Sequence, residues 1–263
     1  MRLYELIDFF EEVAPKKDAR EWDNVGLLVG DSDWDIKKIY IALDATDEVV
    51  DAAIDAGADL ILTHHPLIFK SISRVDASNF VGRRIIKMLE NHIACYAMHT
   101  NFDIHHMGRL AEERLGLHHT ISLDPCDIDG EMDPNVGIGR IGSLMDGAMN
   151  LLDYAEHVKK KFELPYVRVY GDHETLIHTV AVSPGSGKSE IDVAAKGGAD
   201  VLITGDIDHH SGIDAVAKGL CIIDAGHYGV EHIFVAYMAE RIAAEGLDVA
   251  TAMAPKTMPY YIV

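Results

Sequence analysis

Basic residues are scarce in this chain. Lys and Arg total 23 against 43 Asp and Glu, giving a formal net charge of −20 at pH 7 over 263 residues. A surface that acidic repels phosphate backbones and anionic bilayers, which argues against general nucleic-acid or lipid binding. Cysteine is scarce too. Cys95, Cys126 and Cys221 show no paired spacing, which argues against a disulfide framework and fits a reducing cytoplasm. Cys95 and Cys221 lie inside apolar runs and read as core residues. No apolar run approaches the roughly 20 residues needed to span a bilayer. No secretory leader is expected: Met1 to Lys17 sets Leu3, Leu6, Ile7, Phe10 and Val13 among acids, the pattern of an amphipathic helix. The expectation is a cytoplasmic protein with no membrane attachment.

Apolar residues make up 48% of the chain, enough to bury the core of one large domain or two small ones. Short apolar runs alternate with helical patterns, which predicts an α/β protein with parallel strands. Strands are expected at Lys38–Leu43, Leu60–Thr63, Ile93–Met98, Thr179–Val182, Val201–Thr204 and Leu220–Ile223. Helices are expected at Asp47–Ala56, Asn79–Asn91, Ser189–Lys196 and Gly212–Ala217, with a last one from Tyr228 to Glu245. An internal repeat relates Ala56-Gly-Ala-Asp-Leu-Ile-Leu-Thr63 to Gly197-Gly-Ala-Asp-Val-Leu-Ile-Thr204. Each copy follows a strand, a turn and a helix, and precedes a polar pair, a helix and another strand. Two similar α/β halves are therefore expected, residues 1–122 and 123–263, joined through the Asp- and Gly-rich stretch Ser122 to Gly147.

Histidine is plentiful, with 15 residues, several in adjacent pairs. Ligands of parallel α/β sheets collect beyond the carboxyl ends of the strands. After Leu60–Thr63 come His64, His65 and Pro66. After Ile93–Met98 come His99 to Asp103. After Leu220–Ile223 come Asp224, Ala225, Gly226, His227 and, four residues on, Glu231. After Val201–Thr204 come Gly205 and Asp206, with His209 and His210 close behind. A helix starting near His227 would put His227 and Glu231 on one face. Neighbouring strand residues face opposite ways, so His64 and His65 suit two ions, or else need a bend.

Asp103 and Glu231 held about 4 Å apart would repel by roughly 4 kcal/mol at an effective dielectric near 20, and cations between them reverse the sign. His64, His65, Asp103, His227 and Glu231 are thus expected to hold two divalent ions. Three imidazoles and two carboxylates suit Zn, Fe, Mn, Co or Ni and poorly suit Ca. Five ligands leave coordination positions for water, which two ions would acidify for hydrolysis.

Three look-alikes are set aside. Gly137-Ile-Gly-Arg-Ile-Gly142 fits a dinucleotide fingerprint, but Glu131 to Asn135 before it does not read as a strand. Ser183 to Ser189 resembles a phosphate-binding loop, but Val182 stands where its first glycine belongs, leaving at most an anion cradle. Asp208-His209-His210 resembles a phosphoesterase signature whose companion acidic motifs are missing.

Across nearly its full length the chain resembles the NIF3 family, also known as GTP cyclohydrolase 1 type 2 homologs. The resemblance is carried by Glu21-Trp-Asp-Asn-Val-Gly-Leu-Leu-Val-Gly30, Leu62-Thr-His-His-Pro-Leu67, His99-Thr-Asn-Phe-Asp103, Gly139-Arg-Ile-Gly142, Thr204-Gly-Asp206 and Asp224-Ala-Gly-His-Tyr-Gly-Val-Glu231. It implies an α/β fold of two similar halves with mixed, largely parallel sheets, and a dinuclear metal centre in a ring-like homohexamer. It makes His64, His65, Asp103, His227 and Glu231 the metal ligands and places His99 close by, either supporting the ligands from behind or acting as a proton shuttle. The chain lacks the insertion some members carry between the halves, and Gly229 stands where Ala is usual. The function expected is a metal-dependent hydrolase of a small, nucleotide-like molecule, with Glu231 and His99 in the reaction. The rival expectation, from the same ligands, is a non-catalytic metal carrier or regulatory protein.

Overall fold

The computed structural model describes residues 1–145 and 147–263. In chain order the strands are β1 (Gly26–Val29), β2 (Lys38–Ala42), β3 (Leu60–Thr63), β4 (Ala94–Ala97), β5 (Leu117–Ile128), β6 (Glu131–Leu144), β7 (Met149–Asn150), β8 (Arg168–Tyr170), β9 (Leu176–Ile177), β10 (Thr179–Ser186), β11 (Val201–Gly205), β12 (Cys221–Asp224) and β13 (Ala250–Met253). The chain divides into two compact units. One comprises Met1–Phe102 and Phe234–Thr257, the other Asp103–Ile233 and Met258–Val263.

The first unit holds a five-stranded sheet in the order β1-β4-β3-β2-β13. Strands β13, β2, β3 and β4 are mutually parallel, and β1 runs antiparallel to β4. Every residue of β3 and β4 is buried, which is why both read as unbroken apolar runs. Helix Asp47–Asp55 starts where the Thr46 hydroxyl accepts from the Val49 N–H, and helix Phe80–Glu90 where the Asn79 side chain accepts from Gly82. Val50, Ala53, Ile85 and Met88 from these helices share a core with Ile61 and Cys95 of the sheet. The amphipathic N-terminal helix spans Leu3–Val13 and buries Leu3, Leu6, Phe9, Phe10 and Val13.

The second unit holds a six-stranded sheet in the order β5-β6-β10-β11-β12-β8. Its centre, β10-β11-β12, is parallel, and the flanking pairs are antiparallel. The repeat is visible here as repeated hydrogen bonding. Asp59 and Asp200, the aspartates of the two Gly-Ala-Asp segments, do the same work. The Asp59 carboxylate accepts from the N–H groups of Lys37 and Lys38 at the start of β2, at 2.8 and 2.9 Å. The Asp200 carboxylate accepts from those of His178 and Thr179 at the start of β10, both at 2.8 Å. Each fixes the register of the strand beside its own.

Three expectations are corrected. The stretch read as a connector is a long antiparallel hairpin, β5–β6, and Glu131 to Asn135 are strand after all. Its turn is Asp129-Gly130, both with positive φ, as a tight two-residue hairpin demands. The Gly137–Gly142 segment lies within β6, not at the strand-to-helix turn a dinucleotide fingerprint requires. The last helix is two: His227–Glu231 and, after His232, Ile233–Glu245. Among the described residues no helix is long and apolar enough to cross a membrane.

Hydrogen bonds to a charged acceptor contribute about 1.5–3 kcal/mol each. Asp59→Ala and Asp200→Ala each remove one carboxylate that holds two backbone donors. Both variants should lose at least about 2 kcal/mol in urea unfolding, by similar amounts. A large loss at one position and none at the other would contradict the shared role.

Candidate metal centre

Three histidines gather at the carboxyl edge of the first unit's sheet. His64 and His65 follow β3, and His99 follows β4 by two residues. The pair does not point in opposite directions, because β3 ends at Thr63 and the chain bends there. Their ring centroids are 4.9 Å apart, and the His99 ring lies 5.2 and 5.5 Å from them. One ring nitrogen from each of the three falls within 4.8 Å of the other two. Phe102 and Phe234 pack their rings against fully buried His64.

What each imidazole does with its other nitrogen decides its chemistry. His64 Nδ1 is 2.8 Å from the Met98 carbonyl oxygen. His65 Nδ1 is 2.8 Å from Asp44, and His99 Nδ1 is 2.8 Å from Asp23. A carbonyl or carboxylate oxygen can only accept, so each Nδ1 must carry the proton and donate it. In the neutral ring the lone pair is then left on Nε2. Metal-binding histidines are oriented in this way by a carboxylate or carbonyl behind them.

The second unit repeats the device. Helix His227–Glu231 begins directly after the turn that leaves β12. His227 Nδ1 donates to Asp206 at 2.7 Å, while its Nε2 lies 2.9 Å from Glu231 Oε2, four residues on. With Nδ1 holding one proton, a bare nitrogen and a carboxylate oxygen at that distance need a second proton or a metal ion shared between them. Asp206 sits in the left-handed backbone region at φ 60°, conformational strain of the kind that collects at functional sites. Buried Asp224 braces both loops. Its two oxygens accept from Gly226 N–H at 3.0 Å and Ile207 N–H at 3.2 Å, and it pairs with Arg168. Gly185, at the irregular end of β10, lies so close that a Cβ there would stand 2.2 Å from Glu231 Oε1. The departure at Gly229 has a local cause, since a Cβ would stand 2.4 Å from Leu164 Cδ2.

Asp103 also lies in the second unit and opens a π-helical turn, Asp103–Met107, ahead of helix Gly108–Leu115. Such widened turns are frequent at functional sites because they re-aim a side chain. Thus the structure gathers His64, His65 and His99 in the first unit and pairs His227 with Glu231 in the second. Sequence reading passed over Asp44 and left Asp23 and Asp206 without a role. Their signal was faint: Asp44 stands two residues beyond β2 and Asp206 one beyond β11.

The look-alike segments have structural uses. The Gly187 N–H donates to Thr204 Oγ1 and Lys188 pairs with Asp208, so neither is held open for an anion. Asp208 caps helix His209–Ala217, and His209 and His210 are exposed. The three cysteines are buried and form no disulfide, and burial pushes the Cys95 thiol up to about 12.

Asp23 supplies a pH test. Burial raises its carboxyl pKa, but hydrogen bonds from His99 and Thr100 outweigh burial and hold it at about 2. A depressed carboxyl contributes stability above its unfolded value, lost as pH falls through the folded one. That contribution should amount to about 2 kcal/mol at neutral pH and vanish between about pH 4 and 2. Asp23→Asn should therefore melt earlier at pH 7 and lose less stability on acidification than wild type. Equal acid sensitivity of the two proteins would contradict the pairing. Gly185→Ala should displace the Glu231 carboxylate, and a crystal structure of that variant with His227–Glu231 unmoved would refute the close approach.

Comparison with known proteins identifies the family. The family model described as Duf34/NIF3 (NGG1p interacting factor 3) matches residues 1–259. A relative from Clostridium perfringens, named a GTP cyclohydrolase 1 type 2 homolog, is 37% identical over 94% of this chain and 93% of its own length. One of the same name from Streptococcus pneumoniae is 37% identical over 91% of this chain and 88% of its own. Among solved structures, a Bacillus cereus protein related to NIF3 superposes with a TM-score of 0.90 at 27% identity, covering 100% of this chain and 99% of that one. Reduced HcgD from Methanocaldococcus jannaschii superposes at 0.80 with 32% identity, covering 96% and 97%. The match of the family model over residues 1–259 and the full-length relatives make this chain a member of the Duf34/NIF3 family.

Proposed function

We infer that this protein is a metal-dependent hydrolase acting on a small, nucleotide-like molecule, with His64, His65, Asp103, His227 and Glu231 as ligands of two divalent transition ions. The observation that carries the reading is the state of the imidazoles. His64, His65 and His227 each turn Nδ1 to a carbonyl or carboxylate oxygen, the orientation in which metal-binding histidines present Nε2. The donor set, nitrogen with carboxylate oxygen, fits Zn, Fe, Mn, Co or Ni. The name borne by the relatives, GTP cyclohydrolase 1 type 2 homolog, makes a nucleotide the first substrate class to try.

Two ions bound there supply water acidified enough to attack near neutral pH. The chain's own groups do the rest. Asp44 and Asp206 hold His65 and His227 in register and make them stronger donors. Asp103 and Glu231 balance the cationic charge. Asp23 fixes His99 so that its Nε2 can take a proton from attacking water and return it to the leaving group. A homohexamer in the cytoplasm belongs to the same proposal.

Protein stripped with chelator and reloaded should take up two ions per chain by mass spectrometry of metals. His65→Ala should lose at least one of them, and Asp44→Ala should bind about 10–100-fold more weakly. Hydrolysis of GTP and generic phosphate esters, compared between loaded wild type and His65→Ala, tests turnover. Equal background rates would replace the hydrolase with a protein that binds metal without reaction. No uptake by the folded protein would overturn the site itself.

A further inference from the structure

Trp22 is 61% exposed and Phe69 is 51% exposed, an unusual outlay of aromatic surface beside a cluster of functional side chains. Their arrangement is specific. Trp22, Phe69 and His99 form a near-equilateral triangle of rings, with centroid separations of 6.0, 6.1 and 6.3 Å. The planes cross at 69°, 73° and 77°. Three steeply crossed rings make a corner. A flat ring laid face-on against one wall presents its edge toward the others, and both stacked and edge-on contacts are favourable for aromatic systems.

The corner is also held in place. Arg20 and Asp23 close a turn around Trp22 by an N–H to carbonyl bond of 2.9 Å. Asp23 then accepts from His99 Nδ1 and from the N–H and hydroxyl of Thr100. Asn24 Nδ2 donates to the carbonyl of Ile68 at 2.6 Å, fixing the backbone next to Phe69. The Trp-Asp-Asn run thus uses two consecutive polar side chains to anchor three rings. Rings anchored in advance bind a planar partner without the entropic cost of ordering them. His99 belongs at once to this corner and to the cluster with His64 and His65.

We propose that Trp22, Phe69 and His99 form the subsite that receives a planar nitrogen heterocycle, such as a nucleobase, and presents it to the metal-binding histidines. This rests on the hydrolase reading for the ring's purpose, but ring binding itself needs neither metal nor turnover. The test uses that independence. Trp22 and Trp34 are the only tryptophans, and Trp34 stacks on His92 elsewhere. A Trp34→Phe protein, checked for folding by circular dichroism, leaves Trp22 as the sole fluorophore. In chelator-treated protein, guanosine should quench that fluorescence saturably and ribose 5-phosphate should not. Phe69→Leu should weaken guanosine binding at least about fivefold, the lower end of what one stacked base contributes.

Absence of saturable quenching, equal quenching by ribose 5-phosphate, or unchanged affinity in Phe69→Leu would each overturn the subsite. So would a Trp22→Ser/Phe69→Ser protein that changes oligomeric size while binding guanosine as before, since the rings would then be a subunit contact. Quenching with no metal uptake would sink the hydrolase reading and leave the corner standing. Metal uptake with no quenching would do the reverse.

Discussion

An imidazole that must give its Nδ1 proton to an acceptor keeps its lone pair on Nε2, and this constraint shapes the site. Met98, Asp44, Asp23 and Asp206 supply the acceptors for His64, His65, His99 and His227. None of the four acceptor atoms can donate in return. Turning over the fully buried His64 ring would leave its donor unmet and cost about 1–3 kcal/mol. A neutral ring held this way is already in the protonation state that a transition ion needs, so binding does not have to reorganise it.

The fold supplies these acceptors through parallel strands that end together. In the first unit β2, β3 and β4 deliver Asp44, then His64 and His65, then Met98 and His99 along one edge. In the second, β11 and β12 deliver Asp206 and His227. The two edges share a backbone plan. Met98 N–H donates to the Thr63 carbonyl as Ala225 N–H does to that of Thr204, at 2.9 and 2.8 Å. Divergence begins one residue beyond each threonine, where one copy continues His-His and the other Gly-Asp. The two residues after each threonine thereby carry unlike chemistry, a pair of imidazoles in one copy and an orienting carboxylate in the other.

Buried parallel strands were plain in the sequence because apolar residues fill both faces, and Leu60–Thr63 was located to the residue. The His-x-x-x-Glu pair was legible for a similar reason, since helical spacing is local. The long β5–β6 hairpin was not, because exposed residues interrupt its alternation and Pro125 and Pro134 fall inside it. The Asp129-Gly130 turn was its clearest signal. The orienting aspartates were hidden by distance. Asp44 and His65 are 21 residues apart, as are Asp206 and His227, and Asp23 and His99 are 76 apart. Contacts of that kind are made by topology, and no spacing rule in the chain announces them. The break at His232 was equally invisible, because Val230, Phe234, Val235 and Met238 keep up an apolar helical pattern across it.

Neutron diffraction from deuterated, metal-loaded crystals addresses the constraint itself, since it locates deuterium and metal in one map. The expected map has deuterium on Nδ1 of His64, His65, His99 and His227, and ions at Nε2 of His64, His65 and His227. Deuterium on Nε2 of any of those three ligands, or a metal ion at Nδ1, would contradict it.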